Sequence, residues 1–202
     1  MITHIVFDQG NVLMTNDWLI DSNEKDQAFY NHYQITPDDY TKSRKLFNDQ
    51  LSRGHMSEKD YWKKLLTNAQ AIDTDPAFAI KLSRDYQKEI PGMLDLARKL
   101  KKQGFKLSIL SNTHKEIIAY KKERFHLADL FEPIITSCET GLKKPERAQF
   151  AKTLELLGVP ANTCIFIDDG KKNVEAAQAL GFNGILFTEA KQCEEEIRKL
   201  IS

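Results

Sequence analysis

The sequence predicts an α/β fold built on a doubly wound parallel sheet, with a small all-helical insertion after the first strand. Two patterns predict this fold. Over residues 90–202, short apolar runs alternate with amphipathic helical stretches, which is typical of βα units. Over residues 15–89, strand patterns disappear, and aromatic and charged residues recur at helical spacing. We therefore expect a core domain of residues 1–14 and 90–202 and a helical insertion of residues 15–89.

The first predicted strand is Ile5-Val6-Phe7, which leads directly into a carboxylate, Asp8, and then a Gly10-Asn11 turn. An apolar run that ends in a charge and a turn is typical of a buried parallel strand that delivers its acid to the carboxyl edge of the sheet. Ligands bind at that edge in open α/β sheets. Taken alone, Asp8 fits a turn or a helix cap equally well.

The helical insertion contains recognisable helix starts. Thr36-Pro37 and Ser57 provide N-cap residues, Asp75-Pro76 is expected to open a further helix, and Gly54-His55 marks a break. An apolar cluster is expected to form the core of this segment: Tyr61, Trp62, Leu65 and Leu66.

The rest of the chain alternates between strands and helices. Further strands are predicted over residues 105–110, 134–136, 163–167 and 184–187. Helices are predicted over residues 93–103, 114–124, 146–157, 173–180 and 189–201. Right-handed crossovers would join these parallel strands. His114 could face the cleft, but a surface position where a helix begins is favoured, and Cys164 is expected in the core.

The composition excludes several classes of protein. Lys+Arg and Asp+Glu both number 29, and this zero net charge argues against nucleic acid or an anionic membrane as the main partner. No apolar run has the length of a membrane span, and the N-terminus lacks the regions of a signal peptide. The three cysteines are scattered, which favours reduced thiols. We expect a cytoplasmic protein, with a homodimer left open.

Three of the predicted strands end in polar groups of different kinds. Asp8 ends the first, Ser111-Asn112 the second and Asp168-Asp169 the fourth, while Lys144 lies in the loop before a helix. Carboxylates from two strands form an oxygen-rich site suited to Mg²⁺, which commonly bridges protein acids and a substrate phosphate. Lysine and hydroxyl donors stabilise phosphate oxygens, and aspartate is a known nucleophile toward phosphorus.

Each of these groups also has a plain structural explanation. Asp168-Asp169 fits a strand-to-helix cap and Ser111-Asn112 a turn. Lys144 fits a solvated loop lysine, and neighbouring Lys143 is interpreted as one. Pairing of Asp168-Asp169 with Asp8 on a neighbouring strand favours the metal site.

Four stretches at these strand ends resemble the ordered motifs of the haloacid dehalogenase-like hydrolase superfamily. They are Phe7-Asp8-x-Gly10-Asn11-Val12, Leu110-Ser111-Asn112, Gly141-Leu142-Lys143-Lys144-Pro145-Glu146 and Phe166-Ile167-Asp168-Asp169-x-x-x-Asn173. The resemblance covers the α/β portion, and the helical insertion lies where this superfamily inserts its cap. The first and last motifs are most similar to the branch of the epoxide-hydrolase N-terminal phosphatase domain and the bacterial α-D-glucose-1-phosphate phosphatase.

The resemblance implies a Mg²⁺-dependent phosphatase that hydrolyses a small phosphomonoester, such as a sugar phosphate, through an aspartyl-phosphate. Asp8 would be the nucleophile and a metal ligand. Gly10 would offer its backbone carbonyl to the metal and lie against the substrate, and Asp169 would complete the metal site.

The remaining implied roles concern the phosphoryl group and its surroundings. Ser111 and Asn112 would bind the phosphoryl group. Lys144 would neutralise the nucleophile and the transition state. Asp168 and Asn173 would support the metal site.

One position departs from the superfamily pattern. Most phosphatases of this superfamily carry a second Asp two residues after the nucleophile, as general acid and base, and here that position is Gly10. Loss of a general acid typically slows a reaction by roughly 10²–10⁴-fold. Another group, such as Asp17, a residue of the helical insertion or the substrate itself, would have to replace it. Otherwise leaving groups of low pKa would be preferred, or hydrolysis would be slow.

Two alternatives from other classes stay open. A metal-independent haloacid dehalogenase would also lack the second Asp, although dehalogenases usually place a bulky aromatic there and do not keep the Asp-Asp-x-x-x-Asn motif. A phosphoryl-ligand-binding protein that has lost turnover through Gly10 would bind phosphate mimics without hydrolysis.

Overall fold

The computed structural model describes residues 1–15 and 24–201. Its centre is one five-stranded parallel sheet with the order β3-β2-β1-β4-β5. The strands are β1 His4–Phe7, β2 Lys106–Ser111, β3 Ile134–Thr136, β4 Cys164–Asp168 and β5 Asn183–Leu186. This topology confirms the predicted doubly wound sheet and places β1 in the middle.

Helices cover both faces of the sheet and form the helical insertion. They are α1 Glu24–Tyr33, α2 Pro37–Ser52, α3 Glu58–Asn68, α4 Ala77–Asp85, α5 Met93–Lys102, α6 Lys115–Arg124, α7 Ser137–Thr140, α8 Arg147–Leu157, α9 Lys171–Gln178 and α10 Ala190–Ile201. On one face, α5 and α10 pack with Ile5 and Phe7, and on the other, α8 and α9 pack with Val6. Side chains alternate between the faces because the repeat of a strand is two residues.

The register of the central strands brings the predicted acids to one edge. Phe7 of β1 pairs with Ile109 of β2 and Ile167 of β4, so the residues that follow leave the sheet side by side. Asp8 still donates its N–H to the Ile167 carbonyl at 2.8 Å. The position of this nucleophile candidate is therefore set by the sheet itself.

The helical insertion has the N-caps that its sequence predicts. Thr36 and Asp39 form a reciprocal capping box at the start of α2, and the Ser57 side chain accepts from the Asp60 N–H at the start of α3. Its core contains the expected cluster, in which every side chain is at most 3% exposed: Tyr61, Trp62, Leu65 and Leu66.

Two chain segments cross between the sheet and the helical insertion, and they lie side by side. Met14 and Glu89 form an antiparallel bridge, flanked by hydrogen bonds from Thr15 N to Lys88 O at 2.8 Å and from Ile90 N to Leu13 O at 2.9 Å. The predicted domain boundaries fall at this crossing, and the division into two domains stays a prediction.

The sequence predicts that residues 139–145 form a loop after the third strand, but the first two of them lie in a helical turn. The helical turn α7 continues directly from β3 and ends at Gly141, whose φ of 71° suits a residue without a side chain. No helix among residues 1–15 and 24–201 is long and apolar enough to cross a membrane.

Candidate active site

Three charged side chains meet at the carboxyl edge of the sheet. The Lys144 ammonium lies 2.7 Å from Asp8 Oδ1 and 2.7 Å from Asp168 Oδ2. Asp8 Oδ1 also accepts the Gln9 N–H at 2.6 Å. The lysine side chain is only 1% exposed, so this bridge holds the two carboxylates in place from inside the protein.

Asp168 is the structural partner in this group. It is fully buried, and its Oδ1 accepts from the Gly170 N–H and from Asn173 Nδ2, both at 2.8 Å. Its Oδ2 accepts from Lys144. Because both of its oxygens are occupied within the protein, Asp168 orients the lysine. Asp8, in contrast, lines the cavity.

The group contains more negative than positive charge. Burial and the nearby Asp168 carboxylate raise the pKa of Asp8 to about 7, although Lys144 works in the opposite direction. Burial opposes the lysine charge, yet attraction to Asp8 and Asp168 raises the pKa of Lys144. The ammonium therefore stays charged, and the surplus negative charge lies on the carboxylates.

Asp169 adds a third carboxylate at the mouth of the site. One carboxylate oxygen each from Asp8, Asp168 and Asp169 lie within 4.8 Å of one another. Asn11 Nδ2 donates to Asp169 Oδ2 at 3.0 Å, a contact that links the first and last motifs. Hard oxygen donors with surplus negative charge are the ligand set that Mg²⁺ prefers.

Asn112 uses its side chain to hold the loop of Lys144. Its Nδ2 donates to the Lys144 carbonyl at 2.8 Å, and its Oδ1 accepts the Lys144 N–H at 2.9 Å. Ser111 lies at the end of β2 and lines the same cavity. Phosphoryl binding by these two residues stays a prediction, since the amide of Asn112 also positions the lysine.

A cavity of about 280 Å³ opens above the group. All of the predicted site residues except the buried Asp168 line it: Asp8, Gly10, Ser111, Asn112, Lys144, Asp169 and Asn173. Lys143 lines it as well, and its side chain is only 20% exposed. The interpretation of Lys143 as a solvated loop lysine is therefore wrong, because its ammonium binds Asp49 Oδ1 of α2 at 3.0 Å.

Three further lining residues were not predicted from the sequence: Arg44, Asn48 and Ser52 of α2. They recur every four residues, which is a detectable spacing. The same spacing describes the solvated face of any amphipathic helix. Only the docking of α2 over the strand ends distinguishes the two situations.

A second charged group lies away from the cavity. His114 is 5% exposed, so the surface position expected for it is wrong. Its Nδ1 lies 3.3 Å from Glu116 Oε2 and its Nε2 lies 3.8 Å from Glu58 Oε1. The guanidinium of Arg84 bonds both oxygens of Glu58, which satisfies that carboxylate without a metal ion.

No general acid in the usual position is available beside the nucleophile, because Gly10 has no side chain. Among the described residues that line the cavity, the only carboxylic acids are Asp8 and Asp169. Asp17, considered above as a replacement, lies outside the described residues.

Relatives in sequence include phosphatases. Sesquiterpene phosphatase astK from Aspergillus oryzae is 26% identical over 197 residues, which are 97% of this chain and 95% of that protein. Bifunctional epoxide hydrolase 2 from Rattus norvegicus is 30% identical over 114 residues, 54% of this chain and 20% of that protein. The chain thus spans nearly all of the first relative and a fifth of the second.

Solved structures share the fold. A HAD family enzyme from Bacteroides thetaiotaomicron, in complex with magnesium and inorganic phosphate, superimposes with a TM-score of 0.79 at 21% identity, over 94% of this chain and 96% of that one. A 2-haloacid dehalogenase from Pseudomonas syringae pv. tomato has a TM-score of 0.68 at 17% identity, over 98% of this chain and 99% of that one. At these identities the likeness concerns the fold.

The family assignment rests on most of the chain. The haloacid dehalogenase-like hydrolase profile matches residues 2–181, which contain all four strand-end motifs. The match also agrees with the sheet order and with the relatives named above. The chain therefore belongs to the haloacid dehalogenase-like hydrolases and is a hydrolase.

Proposed function

We propose that this chain is a Mg²⁺-dependent phosphatase that hydrolyses a small phosphomonoester through a covalent aspartyl-phosphate on Asp8. The observation that carries the proposal is the meeting of Asp8, Lys144 and Asp168 beside Asp169 at one end of a polar cavity. The magnesium and phosphate complex of the Bacteroides enzyme and the activity named for the Aspergillus relative both support it.

Asp8 is oriented as a nucleophile. Its Oδ1 is held by Lys144 and the Gln9 N–H, whereas no described residue donates a hydrogen bond to its Oδ2. In the proposed first step Oδ2 attacks phosphorus, a bond between Asp8 and phosphorus forms, and the bond to the leaving-group oxygen breaks. Water then attacks the same phosphorus, which releases phosphate and restores the carboxylate.

Lys144 and Ser111 would stabilise the charge that develops on the phosphoryl oxygens. The ammonium is preorganised by Asp168, so it need not move during the reaction. Asp168 and Asn173 act through this arrangement, since their mutual hydrogen bond fixes the carboxylate that holds the lysine.

The cluster fits a divalent cation. Asp8 and Asp169, with the carbonyl of Gly10, would hold Mg²⁺, and the oxygens of the carboxylates are close enough to share one ion. Burial is the main cause of the raised pKa of Asp8, and the nearby Asp168 carboxylate adds to it. A cation beside these carboxylates would offset both effects. When bound, the ion supplies positive charge to the phosphoryl oxygens.

Retention of the three carboxylates is also what separates this proposal from a haloacid dehalogenase. A metal-independent dehalogenase needs the nucleophile but has no use for Asp169 beside it. The proposed partner is a small phosphorylated molecule, with sugar phosphates among the candidates, and a homodimer stays a prediction.

Phosphate release from a panel of phosphomonoesters tests the proposal, with Mg²⁺ or with EDTA. We expect turnover only with Mg²⁺, and a fall of at least about 10³-fold in Asp8→Asn, which keeps the shape and removes the nucleophile. Asp95→Asn is the control, because that side chain is 82% exposed on α5. Turnover that survives in Asp8→Asn, or no release from any ester, contradicts the proposal. Halide release from 2-haloacids without Mg²⁺ favours the dehalogenase.

A further inference from the structure

The cavity has a second wall that the phosphatase chemistry described above does not use. Arg44, Asn48 and Ser52 of α2 form it, and we call them the α2 row. Because they are spaced four residues apart, they share one face of the helix. At the α-helical rise, the row extends over about 12 Å.

One end of the α2 row is tied to the catalytic edge. The Ser52 carbonyl accepts from Ser137 Oγ at 2.6 Å, and the same hydroxyl oxygen accepts the Thr113 N–H at 2.9 Å. Thr113 follows Ser111 by two residues, so Ser52 lies near the phosphoryl end. Arg44 is consequently at the far end, where the leaving group of a substrate would extend.

The chemistry of this wall suits an anion. The described residues that line the cavity include no apolar side chain, and their acids, Asp8 and Asp169, lie at the strand ends. Arg44 brings positive charge to the α2 side, whereas Lys143, which also lines the cavity, is paired with Asp49. A guanidinium has five N–H donors, so Arg44 can keep a contact within the protein and still present a donor pair to a ligand.

Asn48 indicates that the row is a binding surface. Its Oδ1 is shielded from solvent and accepts no hydrogen bond from the part of the chain that the structure describes. A shielded acceptor without a donor is unfavourable. A hydroxyl of a bound molecule, or a water that accompanies it, would satisfy this atom.

We propose that the α2 row binds the leaving group of the substrate. The substrate is then a phosphomonoester whose leaving group ends in a second anion, a carboxylate or a phosphate, and Arg44 binds that anion. The proposal rests on the phosphatase function above and names its substrate class. A guanidinium and a carboxylate or phosphate form paired, charge-assisted hydrogen bonds, which gives Arg44 the role of a specificity-determining residue. The cavity of about 280 Å³ has room for a short leaving-group chain.

Four three-carbon probes test the proposal: propyl phosphate, 3-hydroxypropyl phosphate, 3-phosphooxypropanoate and propane-1,3-diyl bisphosphate. All release a primary alcohol, so they differ mainly in the far end of the chain. We expect kcat/KM at least about tenfold higher for an anionic probe than for propyl phosphate. The carboxylate and bisphosphate arms identify which anion is recognised.

The variants assign that preference to Arg44. Arg44→Gln is expected to lower the ratio of kcat/KM for the preferred anionic probe to that for propyl phosphate by about 10- to 100-fold. Arg44→Lys should retain part of the ratio because it keeps the charge. Lys45→Gln removes a charge from the exposed neighbour of Arg44, outside the cavity lining, and should keep the wild-type ratio.

A wild-type enzyme that treats anionic and propyl probes alike, or prefers the hydroxypropyl probe, overturns the proposal, as does an unchanged ratio in Arg44→Gln. If circular dichroism shows that Arg44→Gln does not fold, Asn48→Asp tests the same row by placing a carboxylate in it. A lower ratio then supports the proposal and an unchanged one overturns it. If the enzyme hydrolyses none of the four probes and no p-nitrophenyl phosphate, the phosphatase function itself is refuted.

Discussion

At the scale of single residues, the charge balance of the site depends on Lys144. It bridges Asp8 and Asp168, and its ammonium lies 5.5 Å from the centre of the Phe166 ring. A buried ion is tolerated when it is paired and hydrogen-bonded, and both conditions are met here. Without the lysine, two buried carboxylates would face each other with no cation between them.

Lys144→Gln should therefore lower stability as well as turnover. Removal of one partner from a buried ion pair costs about 3–5 kcal/mol, and we expect a loss of that size in the free energy of unfolding, measured by urea denaturation in EDTA. Lys143→Gln is the matched control, because it pairs with Asp49, whose side chain is 60% exposed, and such pairs contribute about 0–1 kcal/mol. Equal losses in the two variants would show that Lys144 has no special structural role.

Gly10 leads to a prediction about leaving groups. Without an acid at this position, the leaving oxygen departs with its negative charge unless the substrate or solvent supplies a proton. We expect log kcat/KM to fall steeply as the pKa of the leaving alcohol rises, from aryl to alkyl phosphates. Gly10→Asp should flatten this slope, because it places a carboxylic acid where the superfamily usually has one. The same slope in both proteins would mean that another group already donates the proton.

How well the sequence predicts the site differs between residues. Asp8, Lys144 and Asp169 were predicted because each belongs to a short motif at a strand end, and parallel strands bring such ends together. Arg44 and Asn48 were not, because a polar helix face has the same pattern whether it meets water or a cavity. The tertiary position of α2 decides between them, and no local pattern encodes it.

At the scale of elements, the strands and the N-caps were predictable for a local reason. Thr36 and Ser57 satisfy backbone N–H groups within their own helices, so their effect can be read from a few residues. The surface position expected for His114 is wrong because its ring lies beside Glu58 of α3, which is distant in the sequence. Contacts between elements are therefore the part of the structure that the sequence did not reveal.

Glu116 combines a local hydrogen bond from His114 with a weaker contact between α6 and α3. The hydrogen bond from the His114 side chain, and a weaker one from the Glu58 N–H, lower the pKa of Glu116 to about 2 from the ordinary 4.5. A carboxylate with a depressed pKa stabilises the folded state above its unfolded pKa. That contribution is lost as the pH falls from about 4.5 toward 2.

Glu116→Gln should consequently change the pH dependence of stability. The variant lacks the ionised carboxylate, so we expect wild type to be more stable at pH 6 and the difference to shrink as the pH falls through this window. Chemical denaturation at several pH values measures it. Glu123→Gln, an exposed position on the same helix, should follow wild type. A difference for Glu116→Gln that does not vary with pH would contradict the role of the charge.

At the scale of the whole molecule, contacts within each part of the chain favour separate unfolding of the parts, and contacts between the parts oppose it. The helical insertion has its own apolar cluster, and the sheet has one on each face, which favours separate opening. Against this, Arg53, directly after α2, donates to the Gly141 carbonyl at 2.9 Å and pairs with Glu146, on either side of Lys144. These bonds connect the insertion to the loop that carries the lysine.

The variant Leu65→Ala tests whether the helical insertion opens separately from the sheet. Leu65 is fully buried in the cluster of the helical insertion, and its truncation should destabilise that cluster by about 2–5 kcal/mol. If the predicted domain division holds, hydrogen exchange will accelerate in α2, α3 and α4 while β1 and β4 stay protected. Leu110→Ala, in the sheet core, is the matched control and should accelerate exchange in the strands. Equal acceleration in all elements after Leu65→Ala would refute the division, because the contacts around Arg53 would then join both parts into one cooperative unit.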